Sequence, residues 1–214
     1  RDLHLSDTAL GLVSGLAFVL FYSSLGIPIA RLADRANRRN IIGLGFALWS
    51  LMTLLTGLVS NLWQLALLRF AMGAGEAAGV APSNSMVADL VPPEERPLGV
   101  SLVTAGSSLG SIVLLPLAGL IAQHYGWRAT FMAAGAPGLV LALLLLATVR
   151  EPPRGRAAAA PNGAGAGPDE SFWQTLRFLA GCRTFALIVL SGCFMGVTIF
   201  AEMVRTPTFM VRVH

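Results

Sequence analysis

The chain has 214 residues, of which 55% are hydrophobic and only 12% charged, and its mean hydropathy is positive. A soluble domain of this size carries about a quarter charged residues, so a water-facing surface over most of this chain is excluded. The net charge of +4 comes wholly from arginine, with no lysine, and the arginines fall between apolar runs; this sets nucleic acid aside as a partner and points to membrane topology.

A bilayer core about 30 Å thick takes roughly 20 apolar residues in a helix. Five runs meet that length: Thr8–Leu32, Ile41–Val59, Leu62–Leu90, Leu98–Ala122 and Ala129–Val149. A sixth begins near Thr184 and is still running at the last residue, His214. Period-two alternation is absent, so the predicted fold class is all-α integral membrane, with about five complete transmembrane helices plus part of a sixth. Residues 150–170 are rich in Pro, Gly and Ala and are expected to form a flexible linker. Within 171–182, Ser171 and Gln174 have capping-box spacing. Phe172, Trp173, Leu176 and Leu179 there fall on one helical face, which predicts a short helix lying in the membrane interface. Cys182 and Cys193 are too few for a disulfide framework or metal cage and are expected to be reduced, buried thiols.

Counting arginines in alternate loops gives two on one side, Arg1 and Arg128, against ten on the other. The richer side, with 31–40, 91–97 and 150–183, is therefore predicted to be cytoplasmic. Tyr125 and Trp127 then sit at the outer interface and Trp173 at the inner one. The chain opens on an arginine on the outer side, so at least one earlier helix, and a longer reading frame, are expected.

The stretch ARLADRANRRNI, Ala30 to Ile41, resembles the loop signature G-x-L-A-D-R-x-G-R-R/K of major facilitator superfamily transporters, and it lies between the second and third helices as in that family. Leu32, Ala33, Asp34, Arg35, Arg38 and Arg39 match; Ala30 and Asn37 replace the two glycines. Asn tolerates left-handed backbone better than most residues, so a tight turn is expected to survive at Asn37. The resemblance implies a latch in which these charges hold the cytoplasmic side closed, with Asp89 as the partner of Arg35 or Arg38. A basic loop supplied by topology alone is the simpler alternative.

The stretch LLRFAMGAGEAAGVAPSNSMVADLVPPEERPLGVS is similar to the fourth helix and following loop of the same superfamily, in its spinster-like branch. Arg69 and Glu76 are seven residues apart and share a helix face about 10 Å apart along the axis. An ionisable group in the hydrocarbon span costs at least ~2.5 kcal/mol and is by default functional. Glu76 is the candidate for proton coupling, and Arg69 for proton coupling or for anchoring an anionic substrate; a structural ion pair is the alternative. Gly73, Gly75 and Gly79 either let helices approach closely or leave room for a solute. Ser83, Asn84 and Ser85, after Pro82, line a pathway or repair a helix kink. Gly106, Gly110, Pro116 and Gly119 resemble the family's hinge segment in its fifth helix. Glu202 and Arg205, three apart, make either an outer gate or an interfacial salt bridge.

No HExxH, Cys/His cluster, GxSxG or Walker glycine loop is present, so no enzyme activity, metal or cofactor is expected; His4, His124 and His214 stand alone. The resemblance implies a secondary transporter of two six-helix halves that rock about a midplane site. On that reading residues 1–149 supply family helices two to six, 150–170 the cytoplasmic linker and 183–214 the truncated first helix of the C-terminal half. The expected partners are a small organic anion or lipid-like solute, protons, the lipid bilayer and the missing C-terminal half. The expected location is the cell membrane, as a multi-pass protein of a bacterial inner membrane. A membrane sensor on the same scaffold, or a membrane-embedded enzyme, remains open as an alternative.

Overall fold

The computed structural model describes residues 18–153, 172–196 and 198. Seven helices account for most of them: α1 Phe18–Arg35, α2 Arg38–Thr56, α3 Leu62–Ala77, α4 Val80–Leu90, α5 Arg96–Thr148, α6 Phe172–Gly181 and α7 Arg183–Gly196. No strand occurs among the described residues.

Local chemistry sets the boundaries. Asn37 is the N-cap of α2, and its side chain accepts the Asn40 N–H. Its φ of −66° is not left-handed, so the residue replacing the expected glycine serves by capping a helix and not by turning the chain. Asn61 caps α3 in the same way through the Gln64 N–H, while Gln64 Oε1 accepts from both the backbone and the hydroxyl of Ser60. The predicted Leu62–Leu90 span is two helices. The Ala78 and Gly79 amides bond three residues back, to Gly75 and Glu76, and Pro82 has no N–H to offer the Ala78 carbonyl, so the ladder is interrupted there.

At 53 residues α5 is about 80 Å long by helical rise, more than twice a bilayer core of about 30 Å. It breaks at Gly126, whose φ of 82° and ψ of 168° are open to glycine and strained for other residues. The two limbs correspond to the predicted fourth and fifth spans, Leu98–Ala122 and Ala129–Val149. Among the described residues, α2 and α5 are long and apolar enough to cross a membrane. The described part of α1 carries Arg31, Asp34 and Arg35, and α3 and α4 are separately short.

Contacts at both ends show that the chain runs up and down. The start of α2 meets the end of α4 and the chain just after α5 at one end. At the other, Arg128 reaches the Val59 carbonyl at 3.1 Å.

The bundle of α1 to α5 is packed through small residues and is apolar on its outside. Its buried hydrophobic residues are mostly small or flexible, including Ala33, Met72, Ala77, Ala78, Met86 and Ala142, whereas Leu44, Leu67, Leu102, Ile112 and Leu143 are all more than 60% exposed. Lipid tails are as apolar as leucine, so such a bundle gains by close backbone contact and not by hiding leucine. The α2 helix lies against the second limb of α5 in antiparallel register. Gly43 meets Leu146, Gly138 meets Ser50, and a Cβ placed on Gly135 would come 2.5 Å from the Leu54 nitrogen and 2.6 Å from the Ser50 carbonyl. On its other side α2 meets α3, where a Cβ on Gly75 would lie 2.6 Å from the Gly45 carbonyl and 2.8 Å from the Trp49 nitrogen. Gly75 therefore serves helix packing. Gly106, Gly110 and Gly119, on the first limb of α5, have nothing within 4 Å of an added Cβ among the described residues.

Residues 164–214 form a second unit. In it α6 and α7 are separated by Cys182 alone, whose N–H bonds to the Leu179 carbonyl and whose carbonyl accepts from Ala186. The helix predicted within 171–182 is present, while Ser171 lies outside the described residues. Cys182 and Cys193, expected to be buried, are both exposed.

Gly135→Val forces backbone apart where α2 and α5 touch and is expected to destabilise the protein by about 1–3 kcal/mol. Leu44→Ala, on the outward apolar face, is expected to stay within about 0.5 kcal/mol. Thermal unfolding of both variants in one detergent measures the difference.

Candidate functional site

The strongest polar constellation is built on Arg38, the first residue of α2, which is 3% exposed. Its Nη1 donates to Asp89 Oδ2 at 2.6 Å and to the Ser85 hydroxyl at 2.9 Å, both on α4. Its Nε donates to Glu151 Oε1 at 2.8 Å, and its Nη2 reaches the Pro152 carbonyl at 3.4 Å. The other Glu151 oxygen accepts the Arg39 backbone N–H at 2.8 Å, so this carboxylate caps the first turn of α2 while pairing with its arginine. One planar guanidinium thus ties three chain segments together, using its fixed fork of donors.

Asp89 is itself 5% exposed. Of the two partners expected for Asp89, the structure selects Arg38; Arg35 is exposed and meets no carboxylate among the described residues. Asp34 is exposed at the end of α1, and the Arg39 Nε is buried without an acceptor. Ser85, read from sequence as a pathway residue, belongs to the Arg38 cluster. Glu151 was not singled out from the sequence at all, because it opens a Pro- and Gly-rich stretch. Instead of being loose linker, Glu151 and Pro152 are fastened here, and Pro152 is buried. The one sequence signal was a lone acid between Arg150 and Pro152, directly after an apolar span.

Burial raises the Glu151 pKa, but the Arg39 N–H and the Arg38 guanidinium lower it more, so the carboxyl is held below its ordinary value of 4.5.

Arg69 and Glu76 both lie on α3 but do not pair. Arg69 Nη1 touches only the Met72 sulfur, at 3.7 Å, and its Cζ is 6.0 Å from the Phe131 ring centroid, at the limit of a cation–π contact. Its Nε is shut off from solvent with no acceptor. Glu76 is half-buried in the last turn of α3, and its carboxylate has no hydrogen bond or ion pair among the described residues. Ser83 is half-buried and Asn84 exposed, immediately before Ser85 of the Arg38 cluster. At the opposite end the Arg128 guanidinium lies 4.4 Å from the Trp127 ring, and Trp127 packs edge-on to Phe131. Glu202 and Arg205 lie outside the described residues.

The sequence matches the family model described as Major Facilitator Superfamily over residues 1–214. The chain belongs to the Major Facilitator Superfamily. It is 33% identical over 214 residues to an MFS-type efflux pump of Mycolicibacterium smegmatis, covering 99% of this chain and 48% of that protein. It is also 32% identical over 143 residues to a probable L-galactonate transporter of Escherichia coli, covering 67% of this chain and 31% of that one. Among solved structures, a bacterial homolog of the human lysosomal transporter Spinster, inward-facing and unoccupied, matches with a TM-score of 0.77 at 31% identity. That match covers 98% of this chain and 49% of the other. The chain thus spans about half the length, or less, of the relatives it matches. Membership in this family makes the helical bundle an integral membrane one, and the spinster-like resemblance read from the loops is shown by the structural match.

Arg38→Ala leaves Asp89 buried without its cation and is expected to cost about 3–5 kcal/mol, whereas the Arg38→Met, Asp89→Leu double variant recovers most of that loss. Thermal unfolding of the single and double variants tests this. Because the Glu151 pKa is lowered on folding, its contribution is fully present above pH 4.5 and is lost as pH falls through the lower folded value. The stability difference between wild type and Glu151→Gln should therefore be flat from neutral pH down to about pH 5 and vanish at lower pH.

Proposed function

We propose that the whole protein is a secondary active transporter working by alternating access, coupled to protons and moving a small organic anion or lipid-like solute. The observation that carries this reading is on α3. Two ionisable side chains, Arg69 and Glu76, lie in an apolar helix with no ion partner among the described residues. Charges held that way are costly, at least ~2.5 kcal/mol each near the bilayer centre, and a structural pair would have been cheaper. Glu76 is the group that takes up and releases the coupling proton. Arg69 is the counter-charge for the anionic group of the cargo, in line with the organic anion named for the L-galactonate relative.

The Arg38 cluster has a different role. It closes the arginine-rich end, here assigned to the cytoplasm on the positive-inside rule. Opening that end requires α2, α4 and the chain after α5 to part, and therefore Arg38 to exchange Asp89, Ser85 and Glu151 for water. Asp34, Arg35 and Arg39 surround this latch.

Transport assays on the full-length protein in proteoliposomes test the reading. Glu76→Gln should abolish accumulation driven by a pH gradient while counterflow exchange persists; unchanged gradient-driven uptake would sink proton coupling. Arg69→Ala should raise the apparent KM for an anionic cargo by about ten- to a hundredfold, the loss of one charge-assisted contact worth roughly 1.5–3 kcal/mol. An unchanged KM would remove Arg69 from the cargo site.

A further inference from the structure

The α6 helix is amphipathic by position. At about 100° per residue, Leu176, Leu179 and Ala180 share an arc of roughly 120° with positions 172 and 173, and Arg177, Gln174 and Gly181 fall on the opposite side. Leu176 is 42% exposed, and Phe178, at the margin of the polar side, is 76% exposed. Only Cys182 separates α6 from α7, whose Phe185, Leu187, Ile188, Leu190 and Phe194 are exposed apolar residues.

Two observations decide what covers this face. The first is continuity: the apolar helix α7 follows α6 after a single residue, in a chain whose family is integral to the membrane. The second is charge. From residue 172 to residue 196 there are two cations, Arg177 and Arg183, and no acidic residue. A soluble partner helix would need its own apolar stripe at the membrane edge. An anionic bilayer surface supplies an apolar layer for Leu176 and Leu179 and phosphates for the two guanidinium groups at once.

We infer that α6 is a membrane-surface anchor that lies in the headgroup layer and is held there by anionic lipid through Arg177 and Arg183. The inference does not depend on proton coupling or on the identity of any cargo. It concerns where the chain is fixed after residue 171, just as the Arg38 cluster fixes it at Glu151 and Pro152. An anchor of this kind makes the protein sensitive to lipid composition at a place that touches no solute. Each arginine near an anionic surface is worth about 1 kcal/mol, or roughly a fivefold preference, so the two together are enough to set the depth of a ten-residue helix.

The test uses full-length protein lacking Cys182 and Cys193, spin-labelled singly at position 174, 176, 177 or 179 in nanodiscs of phosphatidylglycerol or of phosphatidylcholine. In phosphatidylglycerol, labels at 176 and 179 should collide with oxygen in preference to a water-soluble nickel chelate, and labels at 174 and 177 should show the reverse. Adding Arg183→Glu should move 176 and 179 toward water in phosphatidylglycerol discs, with little change in phosphatidylcholine. Labels at 176 and 179 shielded from both reagents would mean that protein covers the helix, and labels open to nickel would mean that it stands in water; either overturns the anchor. Equal depth in both lipids, with no effect of Arg183→Glu, overturns the role of anionic lipid.

Discussion

A buried guanidinium must have acceptors, and much of the arginine-rich end is arranged to supply them. Arg38 has almost no contact with solvent, and removing one partner from such a charge costs more than the pair contributes. Three segments far apart in sequence therefore converge on it. The end of α4 brings Asp89 and Ser85, the chain after α5 brings Glu151 and Pro152, and α2 presents the arginine from its own first turn. Glu151 meets two needs with one carboxylate, since its second oxygen caps the helix that carries the arginine. Once these groups are engaged, the ends of α4 and α5 are fixed relative to the start of α2, and their direction through the bundle follows.

Among the described residues no polar cluster of that kind recurs along the bundle, and contact is made by the absence of side chain. Gly45 faces Gly75, Gly135 faces Leu54 and Ser50, and Gly138 faces Ser50. Large aliphatic residues point outward on nearly every helix. The division is the one a lipid solvent imposes: small residues inside let backbones touch, while leucine and isoleucine are left where their burial gains nothing. A soluble bundle of the same helices would be the reverse, and the exposed first limb of α5 would be an aggregation surface in water.

The order of apolar and basic segments made the helical membrane class and the alternation of ends legible in the sequence, because hydropathy and arginine bias act over whole segments. Charge order in ARLADRANRRNI drew attention to the loop that leads into Arg38, and of the two partners expected for Asp89 the structure pairs it with Arg38. What could not be read were pairings set by three-dimensional convergence. Glu151 looked like linker, since composition averages over neighbours and misses one fastened residue. The spacing of Ser85 from Pro82, which suggested a pathway or kink repair, was visible, and its contact with Arg38 was not. Asn37 looked like a stand-in for a left-handed glycine, yet it works as an N-cap, a role that depends on whether the helix starts before or after it. Boundaries inside long apolar runs were equally hidden: the break at Ala78–Gly79 needs Pro82 and a turn three residues back, and neither alters hydropathy.

The turn of α3 that carries Glu76 packs against α2, the helix that carries Arg38. Gly45 stands two turns, about 10 Å, along α2 from Arg38, and it is packed against Gly75 and Ala78, the residues that bracket Glu76. With no side chain on Gly45 or Gly75 to bend, the two backbones have no compliant layer between them. A tilt of α2 large enough to part Arg38 from Asp89 and Glu151 cannot leave the turn holding Glu76 where it was. Conversely, whatever changes the packing of that turn presses on the helix that carries Arg38. The contact between the helix of the ion cluster and the turn that holds Glu76 is therefore steric. It runs through glycine contacts that a single added methyl group would alter.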